Sequence, residues 1–158
     1  MVEPTPSGAS APFAEPSRVL VLADDLIWST RLVGQVRAAG FAALPARTAE
    51  AFRTGLVSAD GAIVDLTSLA YDGLAAIAAA RDADVPVLAV GPHDDHVLRR
   101  NALAVGADRV LAYRKLFDDG PASIARWLVA AMAASAATAA SAGRPDAPHP
   151  EPTETADR

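Results

Sequence analysis

The chain has 158 residues, a formal net charge of −5, 51% hydrophobic but only 5% aromatic residues, and no cysteine. That length supports one domain with a proper core, and the acidic balance lacks the basic stripe of a nucleic-acid binder. The missing cysteine excludes disulfides, zinc–thiolate sites and thiol nucleophiles, and fits a reducing, cytoplasmic setting.

Residues 1–17 (MVEPTPSGASAPFAEPS) show neither the basic nor the apolar region of a secretory signal. They and residues 143–158 are rich in Pro, Ser, Thr, Glu and Asp, which predicts two disordered tails. The folded part then divides into a domain over 18–132 and an alanine-rich extension of the last helix over 133–142. The longest stretch of low polarity, Ile124 to Ala142, includes Arg126, serines, a threonine and many alanines, so it reads as a soluble helix and not as a membrane span.

The first apolar run, Val19–Ala23, predicts a buried strand. Leu26–Ala39 places Trp28, Leu32, Val36 and Ala39 at helical spacing, with Gly40 to end the helix. Phe41–Ala46 is a short strand interrupted by Pro45, near a sheet edge. Thr48 caps a helix to about Ser58, and Gly61–Leu66 is the next strand. A helix over Asp72–Asp82, a strand over Val85–Val90, a helix over Asp94–Val105 and a strand over Arg109–Ala112 follow. The last helix begins near Asp118–Ala122 and carries Ile124, Trp127, Leu128 and Ala131 on one side. Five rounds of strand and helix, with continuously apolar strands, predict a doubly wound α/β domain with a five-stranded parallel sheet.

In such sheets sites form beyond the carboxyl ends of the strands. Those ends present Ala23-Asp24-Asp25, Pro45-Ala46-Arg47, Asp65-Leu66-Thr67, Gly91-Pro92-His93 and Tyr113-Arg114-Lys115. Clustered carboxylates need a cation or a proton between them, and hard oxygen ligands suit Mg²⁺. Asp24, Asp25 and Asp65 are therefore a candidate magnesium site.

Four segments in order resemble the receiver domain of two-component response regulators, with the flavodoxin-like (βα)5 order of the chemotaxis regulator. VLVLADDLIWSTRLVGQVRAAGF resembles the first strand, acidic pair and first helix. AIVDLTSLAYDGL resembles the phospho-acceptor strand and loop, VPVLAVGP the fourth strand, and AVGADRVLAYRKLF the turn and fifth strand. The resemblance covers about Arg18 to Ala131. It implies Asp65 as the phospho-acceptor position, Asp24 as the second member of the Mg²⁺-binding pair, Asp25 as the acidic residue after it, and Thr67 as the source of a metal-ligating backbone carbonyl.

The sequence departs from that pattern at five places. Ala23 occupies the first acidic position and Leu69 replaces a proline. Gly91 stands where a hydroxyl residue contacts the phosphoryl group, Val110 at the switch aromatic, and Tyr113 at the lysine that pairs with the phosphate. Lys115, two residues on, is a candidate substitute by strand alternation. Phosphoryl transfer rests on positioning and charge neutralisation, and a neutral phenol supplies one hydrogen bond and no charge. The pattern is that of a degenerate, pseudo-receiver variant.

Simpler roles stand beside these. Asp25 is suited to cap the first helix, and Asp65 to shape the loop after its strand. In GPHDDH (91–96), His93 and His96 have a spacing that binds metals on a helix face. The alternative reading is that Asp94 or Asp95 caps the fourth helix while the histidines stay solvated. Arg99-Arg100 and Arg114-Lys115 read as solvated charges, and Trp28 and Trp127 as core residues. The function expected is a stand-alone receiver-like module, not an enzyme, that acts on a protein partner or a second copy, with no nucleic acid and no membrane. It needs no cofactor, Mg²⁺ being the one candidate. The competing readings are a single-domain response regulator phosphorylated on Asp65 with Mg²⁺, and a small metal-dependent hydrolase using Asp24, Asp65 and His93.

Overall fold

A computed structural model describes residues 14–143. The expected tails lie outside it except for residues 14–17 and Gly143. Five parallel strands, β1 (Arg18–Leu22), β2 (Ala42–Ala46), β3 (Gly61–Asp65), β4 (Val87–Gly91) and β5 (Arg109–Ala112), form one sheet in the order β2-β1-β3-β4-β5. Five helices connect and cover them: α1 (Leu26–Ala38), α2 (Ala49–Gly55), α3 (Gly73–Asp82), α4 (His96–Val105) and α5 (Tyr113–Ala142).

Strand alternation sorts the core into two layers. Leu20, Leu22, Ala62, Val64, Val87 and Ala89 face Phe52 of α2 and Ile77 of α3. Their neighbours Val19, Val21, Ile63, Leu88 and Val90 face Leu32 and Val36 of α1 and Ile124, Trp127 and Leu128 of α5. Burial on both faces is why these strands read as unbroken apolar runs. Pro45 is tolerated because β2 pairs only with β1, at the sheet edge.

The helix starts follow their caps. Asp25, Thr48, Asp72 and Asp95 each accept a backbone N–H from the first turn of α1, α2, α3 and α4. Asp95, the second of the two candidates, is the cap of α4, and the strand before it runs on through Gly91, one residue past the expected end. Gly40 follows α1 at φ 90° and Gly106 ends α4 at φ 123°, a region glycine enters without strain.

The last helix departs most from expectation. It starts at Tyr113, directly after β5, and is broken at Asp119 (φ −153°, ψ 37°). The segment after the break is the helix read from the sequence; the turn before it was not foreseen. Gly120 lies against Gln35 of α1 so closely that a Cβ there would meet the Gln35 Oε1 at 2.4 Å. Pro121 falls in the first turn after the break, where it forfeits no helical hydrogen bond. By length and composition α5 could cross a membrane, yet Leu116, Ile124, Trp127 and Leu128 bury its inner face in the domain core.

Asp119 ties the break together, accepting from Arg126 at 2.8 Å and from Lys115 and Ser123 at 3.4 Å each. The Arg126 guanidinium, then Lys115, hold its carboxyl below the ordinary aspartate value. A depressed pKa stabilises the fold above the unfolded aspartate range, and that contribution is lost as pH falls through the folded value. Asp119→Asn should therefore narrow the stability difference between neutral and acidic pH, measured by urea unfolding at the two pH values.

Candidate functional site

The register brings β1, β3 and β5 to a common edge. Leu22 is level with Val64, Asp65 with Val90, and Gly91 with Ala112. Asp24, Asp25, Trp28, Asp65, Thr67, Ser68 and Leu69 line a pocket of about 360 Å³ at this edge. The three carboxylates from two strand ends thus share one cavity. Ala23, at the first acidic position, is buried in the core.

Asp65 is only 2% exposed. Its Oδ1 accepts the Thr67 backbone N–H at 3.0 Å, the Thr67 hydroxyl at 2.9 Å and the Tyr113 phenol. Thr67 Oγ1 also lies 2.6 Å from the Tyr113 hydroxyl. With Asp65 ionised, two hydroxyl protons serve three close approaches. Tyr113 donates to Asp65, and Thr67 donates to either of the other two oxygens. Burial, and then the hydrogen bond to Asp65, raise the Tyr113 phenol above its ordinary pKa, so it stays a neutral donor.

The phenol is held from behind. Its ring packs on Trp28 with centroids 4.1 Å apart, and Trp28 packs on Phe117 at 5.6 Å. Arg31 covers the outer side of these rings, 4.9 Å from the Phe117 centroid. Trp28 is thus half-buried beside the pocket and not a residue of the deep core, as its spacing suggested; Trp127 is the buried one, at 3% exposure. Tyr71 was missed from the sequence. Its hydroxyl lies 2.8 Å from the Asp65 carbonyl and 3.0 Å from that of Leu22, tying the ends of β1 and β3.

Lys115 does not substitute for a lysine at 113. Because α5 starts at Tyr113, strand alternation ends there. At about 100° per residue, two helical steps turn Lys115 well away from the pocket, where it pairs with Asp119. Gly91 is buried, and a Cβ there would be 3.5 Å from Leu66 Cδ1, an ordinary contact, so space does not forbid a hydroxyl side chain. Val110 is buried among the residues facing α3 and α4. Leu69 is fully exposed. His93, Asp94 and His96 are exposed and do not line the acidic pocket.

The chain's own donors already engage part of this carboxylate set. Asp65 Oδ1 receives the Thr67 N–H and the Tyr113 phenol, with the Thr67 hydroxyl close by, Asp25 Oδ1 is engaged by the Trp28 N–H at 2.9 Å, and alanine holds the first acidic position. Among the described residues no three His, Cys, Asp or Glu side chains are grouped to hold a metal ion. His93 is not brought to Asp24 and Asp65, so nothing in the site supports the hydrolase reading.

The architecture is the flavodoxin-like fold of response-regulator receiver domains. No family model matches the chain, and no curated protein matches it in sequence. Solved structures do match. The signal receiver domain of a putative LuxO repressor protein from Vibrio parahaemolyticus aligns with TM-score 0.67 at 19% identity, over 78% of this chain and 98% of that one. A two-component response regulator from Clostridium difficile aligns with TM-score 0.63 at 18% identity, over 71% and 95%. A response regulator from Burkholderia pseudomallei, solved with a phosphorylated aspartic acid, a calcium ion and citrate, aligns with TM-score 0.61 at 22% identity, over 79% and 74%. At these identities the likeness is one of fold.

Proposed function

We propose that this protein is a pseudo-receiver: a signalling module on the receiver fold that works through protein contact, without phosphorylation of Asp65. One observation carries the reading. The Asp65 oxygen that faces position 113 is bonded to a neutral phenol, where phosphoryl chemistry asks for a cation. Transfer to Asp65 would build charge beside a group that cannot neutralise it. Gly91 offers no hydroxyl to a phosphoryl group, and Val110 offers no aromatic ring to report one.

The test is incubation with a small phosphodonor and Mg²⁺, followed by intact mass measurement. The expected spectrum is unchanged. A stoichiometric phosphoryl adduct that Asp65→Asn abolishes would overturn the proposal in favour of a working response regulator.

A further inference from the structure

The last turns of α5 carry no charge and little cover. Residues 127–143 contain no Asp, Glu, Lys or Arg, in a chain whose net charge is −5. Val129 and Met132 are 63% and 44% exposed, and every residue from Ala133 to Gly143 is exposed. A stretch of helix this short without tertiary packing is marginal in water even when rich in alanine. The side turned to the domain carries Ala131, Ala134 and Thr138, across clefts from Arg81 and Asp108. At about 100° per residue, Val129, Met132, Ala136, Ala140 and Gly143 form one stripe on the opposite side.

This stripe is complementary to its own reverse. Its steps of three, four, four and three residues read the same in both directions, with Ala136 at the centre. The bulky residues lie at one end and the smallest at the other. Turned end for end on a second copy, Val129 meets Gly143, Met132 meets Ala140, and Ala136 meets itself. Each large side chain then lies over a small one, and the helix axes can approach closely along the whole stripe. A parallel pair would set valine on valine and methionine on methionine, and the alanine ends could not touch. A neutral stripe brings two acidic chains together without like charges at the contact, and it offers a charged partner nothing to pair with.

We infer that α5 pairs with α5 of a second copy, antiparallel about a two-fold axis at Ala136. The overlap from Val129 to Gly143 is about 21 Å long. One helix pair of that length falls short of the ~800 Å² per partner that stable complexes bury, so the pair is weak and forms as concentration rises. It leaves the Asp65 edge free. Ala131 and Ala134 stand beside Asp108, just before β5, whereas Asp65 lies at the carboxyl end of β3. Pairing is therefore independent of whether Asp65 takes a phosphoryl group.

Two experiments on the whole chain test the pair. Sedimentation equilibrium up to about 0.5 mM, a range that covers high-micromolar dissociation constants, should show a reversible dimer. Ala136→Glu sets two carboxylates against each other across the axis and should weaken the dimer about tenfold or more. Ala137→Glu adds the same charge one residue on, turned away from the axis, and should leave the dimer unchanged. Ala136→Lys alone should also weaken it, and an equimolar mixture of the Ala136→Glu and Ala136→Lys variants should pair again. Both positions are exposed and outside the core, so the added charges do not disturb the domain. The chain has no cysteine, so single cysteines report direction cleanly. Under mild oxidation, Val129→Cys mixed with Gly143→Cys should give a disulfide-linked dimer, and Val129→Cys alone should give none. A monomer at every concentration, equal effects of the charges at 136 and 137, no mixed disulfide, or a disulfide formed by Val129→Cys alone would each overturn the inference.

Discussion

Tyr113→Phe is expected to lower the unfolding free energy by about 1–3 kcal/mol, the cost of removing one donor from a buried charged acceptor. Phenylalanine keeps the ring against Trp28, so the loss isolates the hydroxyl. Asp65 retains the Thr67 N–H and hydroxyl, which is why the cost does not reach that of an abandoned charge. A double-mutant cycle with Asp65→Ala assigns the effect to the pair: the two changes together should cost less than their sum by at least about 0.5 kcal/mol. Additive losses would mean that the phenol does not serve the carboxylate. The alkaline limb gives a second reading. A phenol whose pKa is raised in the fold stabilises fully below its unfolded value of 10.0, and that contribution is lost as pH rises through the folded value. The gap between wild type and Tyr113→Phe should therefore close at high pH. Tyr71, also raised by burial, is present in both proteins and cancels.

Much of this architecture was legible because the signals were local. Aspartate or threonine before an apolar period gave the helix starts at Asp25, Thr48 and Asp72, and continuous Val, Leu and Ile runs gave a sheet buried on both sides. The convergence of Asp24, Asp25 and Asp65 on one cavity followed from parallel strands ending at a common edge. What escaped was rotation and partner choice. The turn Tyr113–Asp118 has no side-chain cap at Ala112 and ends in a break, so no terminal signal announced it. Without that turn Lys115 seemed able to face the pocket and Trp28 seemed to face the core. Tyr71 lacked any signal, because two carbonyl oxygens at strand ends leave no mark in side-chain pattern. Tyr113 was seen as an absence of lysine; its phenol bonded to Asp65 turns the same position into a built contact.

Trp127→Ala should be the most damaging single change in α5, at about 3–5 kcal/mol in urea unfolding. The indole is buried with Ile124 and Leu128 against β1, β3 and β4. Its ring lies over Gly61 at the start of β3, where a Cβ would come within 2.9 Å of Trp127 Cη2 and 2.7 Å of Leu128 Cδ1. That glycine lets helix and sheet approach, and an alanine at 127 leaves a cavity that neither backbone can close. Trp127→Phe should cost much less, because the buried indole Nε1 has no partner among the described residues and its removal relieves an unpaired donor. The contrast also tests the proposed division of the helix. Beyond Met132 every residue of α5 is exposed and no charge occurs through Ala142, so ending the chain at Met132 should shift stability by no more than about 0.5 kcal/mol, the scale of surface changes. A truncation loss as large as that of Trp127→Ala would make residues 133–142 part of the folded unit and not an extension of it.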